Sequence, residues 1–198
     1  MKYSQYLEEP AILAAVEGVT FKRLLDIGAW DPVEKSNSRA LIEAGWGGLL
    51  IEPSPMPLKN LAHFYAFNRG VTIIGAPLGL EPGLIELQLS DDAVSTSSRE
   101  HAELWKESGG YYGRALFPAI TLEQIANQFG GGFEFINIDT ESTSVDVCRR
   151  IIDLDWRPRC ICVEHDNRLA ELCAFMTATG YKLVYSNGTN GVFSNGRS

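Results

Sequence analysis

The stretch Arg23-Leu24-Leu25-Asp26-Ile27-Gly28-Ala29-Trp30-Asp31-Pro32 decides how this chain reads. A short apolar run carries an acid near its end, one glycine follows, and Ser36-Asn37-Ser38, all good helix-capping types, opens a stretch of helical spacing that stops at Gly45. Run, turn and helix in that order begin a βαβ unit. Further short apolar runs at 48–51, 71–75, 133–138 and 159–163 suit strands buried on both faces. The expected class is α/β with a mostly parallel sheet.

Between the runs lie helices with recognisable ends. One begins near Pro10 and is expected to carry Ile12, Leu13 and Val16 on one face within an N-terminal segment 1–20. Thr121 with Gln124 reads as a capping box opening a helix to Phe129, and Thr143 with Asp146 as another opening one to Leu154. A last helix spans 168–179, closed by Gly180. Residues 181–185 and 191–194 alternate and are joined by Ser186-Asn187-Gly188-Thr189-Asn190, which predicts an antiparallel C-terminal hairpin. Segment 91–114 fits none of these elements and reads as a lid or as a surface insertion.

At 198 residues, 45% hydrophobic and 21% charged, the chain suits a single domain over 1–198. No stretch approaches the roughly 20 apolar residues of a membrane span, and the N-terminus has no secretory pattern, so a cytoplasmic protein is expected. A net charge of −8 argues against nucleic acid as partner and permits a cationic ligand. Cys160 and Cys162 share one strand face, with His165 nearby, and mimic a metal spacing. No fourth ligand is evident; small core hydrophobes are the expectation, and no metal is assigned.

Four runs end in, or are followed at once by, an acid: Asp26, Glu52, Asp139 and Glu164. In open α/β sheets ligands bind outside the carboxyl ends of the strands, so these acids are expected to line one rim. The first turn has one glycine where a dinucleotide site has three, which leaves little room for a pyrophosphate. A nucleoside without phosphate suits it better, with Gly28 allowing close approach and Glu52 accepting from both ribose hydroxyls.

The segments Asp26-Ile27-Gly28-Ala29, Asp31-Pro32, Ser36-Asn37-Ser38, Gly45-Trp46-Gly47-Gly48 and Ile51-Glu52-Pro53-Ser54-Pro55 resemble the opening signature of the FkbM family of S-adenosylmethionine-dependent methyltransferases. Thr121-Leu122-Glu123, Phe135-Ile136-Asn137-Ile138-Asp139-Thr140-Glu141 and 158–164 resemble its later strands, so the likeness covers about 20–195. It departs at Ser142, where the family has glycine, and at Ser144, where it has a second acid. The resemblance implies a Rossmann-like class I methyltransferase fold that binds S-adenosylmethionine. It places Asp26, Gly28 and Ala29 beside the methionine moiety, Ser36 and Asn37 at the first turn or the cofactor carboxylate, and Glu52 with Pro53 at the ribose. Gly75 and Ala76 fall beside the adenine, Asp139 near the amino group and sulfonium, and Glu141 toward the acceptor.

Methyl transfer to a hydroxyl asks for alignment and a proton acceptor. Candidates are Asp139, Glu141, Glu164 and His165, the last also readable as a loop histidine with no chemical duty. Among the aromatics, Trp46 is expected to pack in the core, while Trp30, Tyr111 and Tyr112 suit a cover for cofactor or acceptor. The expected activity is O-methylation of a sugar, polysaccharide or small metabolite. An NAD(P)-dependent oxidoreductase on a similar sheet, or a cofactor-binding member without turnover, stands as the alternative.

Overall fold

A computed structural model of the chain describes residues 3–90, 111–140 and 142–196, with backbone alone at 90, 111 and 112. The elements run α1 (Glu8–Ala15), β1 (Arg23–Ile27), α2 (Arg39–Glu43), β2 (Gly47–Ile51), α3 (Pro55–Phe64), β3 (Val71–Ile74), β4 (Leu84–Ser90) and β5 (Tyr111–Pro118). There follow α4 (Leu122–Phe129), β6 (Phe135–Ile138), α5 (Ser144–Asp153), β7 (Cys160–Glu164), α6 (Leu169–Ala178), β8 (Lys182–Ser186) and β9 (Asn190–Ser194). Seven strands form one sheet in the order β3-β2-β1-β6-β7-β9-β8, and β4 with β5 makes a separate antiparallel pair. Strands β3, β2, β1, β6 and β7 are mutually parallel, while β9 runs antiparallel to both neighbours. The expected hairpin is present, and its second strand is inserted between β7 and an outermost β8.

Alternation along the strands divides the core between two faces. Leu25, Ile27, Ile136, Ile138, Ile161 and Val163 pack with Ile125 of α4, Ile151 of α5 and Met176 of α6. Leu24, Leu50, Phe135, Cys160 and Cys162 pack on the other face with Ile12 of α1, Leu41 of α2 and Leu61 of α3. Helices α1 to α3 therefore cover one face and α4 to α6 the other, the three-layer solution for a parallel sheet with no wet side. Cys160 and Cys162 face this core together, and burial pushes both thiols up. Trp46 is buried with them, as expected. Strand β2 presses so closely on β1 that a Cβ at Gly48 would lie 1.8 Å from the Leu24 carbonyl oxygen.

Some expectations change. Leu13 is 40% exposed, because the buried apolar pair is Ile12 of α1 and Val16 just past its end, one turn apart. Thr121 and Gln124 form the full capping box, whereas Thr143 makes no cap bond to α5. Its hydroxyl donates to Thr140 Oγ1 at 2.9 Å, and Ser144 Oγ accepts from Thr140 N at 2.9 Å instead. Part of 91–114 is strand rather than excursion, since β5 starts at Tyr111; residues 91–110 and Glu141 lie outside the described residues. No described helix is long and apolar enough to cross a membrane.

Candidate cofactor and acceptor site

The parallel strands end on one rim, and there a cavity of about 600 Å³ opens. That size lies within the range of small-ligand sites. All four rim acids line it: Glu52 after β2, Asp26 within β1, Asp139 after β6 and Glu164 ending β7. Gly28, Ala29, Ser36, Asn37 and Pro53 line it too. Gly75 and Ala76 do not; Pro77 and Leu78, just beyond them, face the cavity with Ile85 and Leu87 of β4. His165 also stays out of the lining.

Gly28 brings two strand ends together. Its φ is +78°, and a Cβ there would lie 1.9 Å from the Asp139 carbonyl oxygen, so only glycine lets the first turn fold against β6. Gly28 N and Ala29 N donate to Ile51 O at 2.9 and 3.0 Å, tying the turn to β2 as well. Among non-glycine residues with positive φ, Trp30, Lys35, Asp166 and Asn167 all line the cavity. Such backbone costs free energy and concentrates where a ligand is handled.

Each acid has its own surroundings. Asp26 lines the cavity as a buried group, its carboxylate accepting from Asn137 Nδ2 at 2.9 Å and from the Ser38 hydroxyl. Burial holds it above the ordinary aspartate range, and those two bonds oppose the shift. A carboxylate accepts and never donates, so Asn137 must turn its nitrogen to Asp26 and its oxygen to Asn37. Asn37 Nδ2 donates to that oxygen at 3.0 Å, which leaves Asn37 Oδ1 buried and without a partner. Glu52 is 4% exposed. Its Oε1 accepts from Ser54 N at 2.7 Å and its Oε2 from Trp30 N at 2.9 Å, and burial raises its pKa against these bonds.

Asp139 is open to the cavity. Desolvation by the surrounding walls pushes its carboxyl up to about 6, a hydrogen bond with Glu164 opposes the shift, and repulsion from Asp26 and Asp166 adds to it. His165 is buried at 5% exposure, its backbone N donating to Thr189 O and its Nε2 facing the Asn187 carbonyl at 3.1 Å. A carbonyl only accepts, so Nε2 carries the proton and the ring is committed to the hairpin loop.

Several lining residues were not reached from the sequence. Asn137 had a signal, a lone amide inside an apolar strand. Asp166 and Asn190 had none beyond their place after β7 and before β9, and Lys35, Gln5 and Tyr6 follow only from the fold. Lys35 Nζ stands 5.0 Å from the centre of the Trp30 ring.

No protein-family model and no curated protein matches the chain. Among solved structures, the FkbM methyltransferase from Methylobacillus flagellatus KT matches with a TM-score of 0.56 at 14% identity, over 87% of this chain and 43% of that one. The METTL16 methyltransferase domain, in two crystal forms, matches with TM-scores of 0.51 and 0.52 at 13% and 14% identity, over 95% of this chain and 66% of that one. The chain thus spans less than half of the FkbM structure and about two thirds of the METTL16 domains. Its Rossmann-like class I methyltransferase fold is the one it shares with FkbM methyltransferase.

Proposed function

We propose that the chain is an S-adenosylmethionine-dependent O-methyltransferase acting on a hydroxyl of a sugar, polysaccharide or small metabolite. The observation that carries the reading is the single cavity in which Glu52, Asp26, Asp139 and Glu164 meet in strand order along the rim. Its residues fit the cofactor without a phosphate. Glu52 accepts from Trp30 N, Ser54 N and the Ser54 hydroxyl and keeps acceptor capacity for a ribose hydroxyl. Pro77, Leu78, Ile85 and Leu87 offer the adenine an apolar wall, and Asn37 Oδ1 is a buried acceptor for an ammonium. Gly28, Ala29, Ser36 and Pro53 complete the lining beside these groups.

When bound, S-adenosylmethionine supplies a methyl group on a positively charged sulfur. The chain's acids compensate that charge, and the walls exclude water from it. For a hydroxyl acceptor, Asp139 would take the proton released on methylation, with Glu164 hydrogen-bonded behind it. His165, turned to the hairpin loop, is the weaker candidate for that proton.

A thermal-shift series with S-adenosylmethionine, NAD and NADP tests the reading. The expected result is a rise in melting temperature with S-adenosylmethionine alone, reduced in Glu52→Ala by an affinity loss of about 5- to 150-fold, or about 1 to 3 kcal/mol. A shift with NAD or NADP, or none with millimolar S-adenosylmethionine, overturns it.

A further inference from the structure

The rim continues past Glu164. Strand β9 runs antiparallel, so its first residue lies at the carboxyl end of the parallel strands, and the register pairs Asn190 directly with Glu164. Strands sit about 4.8 Å apart, so walking along the rim from Glu52 through Asp26 and Asp139 to Glu164 and Asn190 covers roughly 19 Å. With the ribose at Glu52 and the sulfur near Asp139, the stretch from Asp139 to Asn190 is where an acceptor must stand.

This end of the cavity has a definite chemistry. Asp139, Glu164 and Asp166 line it, and among the described residues the lining contains one cation, Lys35, which belongs to the first turn on the β1 side. A second feature comes from the hairpin. Asn190 is 7% exposed and lines the cavity, and its Nδ2 donates at 2.8 Å to the buried carboxylate of Glu8. Glu8 also accepts from Asn187 Nδ2 at 2.8 Å and from Tyr6 N at 2.9 Å. Because Glu8 only accepts, it fixes the Asn190 amide with its nitrogen toward Glu8, and Asn190 Oδ1, which accepts no hydrogen bond among the described residues, is the atom left to the cavity. Three carboxyl groups and a committed amide oxygen present acceptors here, and among the described residues the one ammonium whose charge reaches them is Lys35, acting on Asp139. Such a surface binds positive charge and hydrogen-bond donors and repels phosphate or carboxylate.

We infer that the β7–β9 end of the cavity is a subsite for a cationic acceptor, a hydroxyl compound that also carries a protonated amine, such as an amino sugar or amino alcohol, with Asp166 and Asn190 receiving the ammonium. The inference rests on the methyltransferase reading, which fixes the orientation of the cofactor along the rim. It excludes phosphorylated and carboxylated acceptors.

The test needs no identified acceptor. Sinefungin carries an amine on the carbon that replaces the sulfur of S-adenosylhomocysteine, so its ammonium projects toward the acceptor end. Both ligands are titrated calorimetrically into the wild-type protein and into Asp166→Asn. Asparagine tolerates the left-handed backbone of residue 166, where φ is +47°, so the loop keeps its shape. The expected result is sinefungin binding about tenfold or more tighter than S-adenosylhomocysteine. In Asp166→Asn that ratio falls about threefold or more while the affinity for S-adenosylhomocysteine holds. Raising the salt concentration also narrows the ratio in the wild type, as screening requires. Equal binding of the two ligands, or a ratio untouched by Asp166→Asn, overturns the inference and leaves the methyltransferase reading standing. Failure of both ligands to bind overturns the reading itself.

Discussion

At the scale of single residues, the site depends on Gly28 and Asp139 meeting. Gly28→Ala forces a Cβ into the Asp139 carbonyl and places alanine at a φ of +78°. The expected cost is about 2 to 4 kcal/mol, a fall of about 5 to 15 °C in melting temperature by calorimetry, together with loss of ligand binding. Asp139 gives the opposite sign. Its folded pKa stands at about 6 against an ordinary 3.8, so its contribution to stability is complete below about 3.8 and is lost as the pH rises through about 6. In the ligand-free protein Asp139→Asn should therefore raise the melting temperature at pH 7.5, the gain fading as the pH falls below 6, while methyl transfer is lost. In the wild type, turnover should climb with pH through about 6, as the carboxyl becomes able to accept a proton. A flat melting-temperature difference across that range would contradict this assignment. The acids were legible in the sequence because each falls near the end of an apolar run. The burial of His165 was not, because the atoms that occupy its ring belong to a loop more than 20 residues further on.

At the scale of elements, the parallel strands and most helices were readable from apolar period and from the glycines that end helices at 45 and 180, while of the expected side-chain caps only that of α4 formed. Helix α3 was not: it opens on Pro55 and holds Pro57, and proline reads as a breaker even where, as at a first turn, it is harmless. Strands β4 and β5 escaped because a strand pair separated by residues 91–110 has no turn signal to join it. The capping box that formed and the one that did not separate cleanly by experiment. Thr121→Ala should cost about 0.5 to 2 kcal/mol in denaturant unfolding, whereas Thr143, which caps nothing, acts through Thr140 alone. Glu8 ties α1 to the hairpin loop, and Tyr185 reinforces the tie by donating from its hydroxyl to Tyr6 O. Glu8→Ala strands the Asn187 and Asn190 donors and should cost about 2 to 3 kcal/mol, with hydrogen exchange accelerated first in β8, β9 and the loop between them. Unchanged protection there would mean that the tie is not what holds this wall.

At the scale of the molecule, charge and topology point the same way. The chain carries −8 overall, and five carboxyl groups face one cavity with a single ammonium among the described residues. Folding gathers these acids because the parallel strands deliver their carboxyl ends to one side; burial raises the pKa of Asp26, Glu52 and Asp139, and repulsion from neighbouring acids adds to the rise at Glu52 and Asp139. That cost is recovered when a cationic ligand enters, which is the account's central claim. The most direct measurement is a crystal structure of the chain with S-adenosylhomocysteine. The account predicts both ribose hydroxyls within hydrogen-bonding distance of Glu52, the adenine against Leu78 and Leu87, and the sulfur beside Asp139, facing Glu164. A ligand bound anywhere else on the chain, or lying with its ribose away from Glu52, would contradict it.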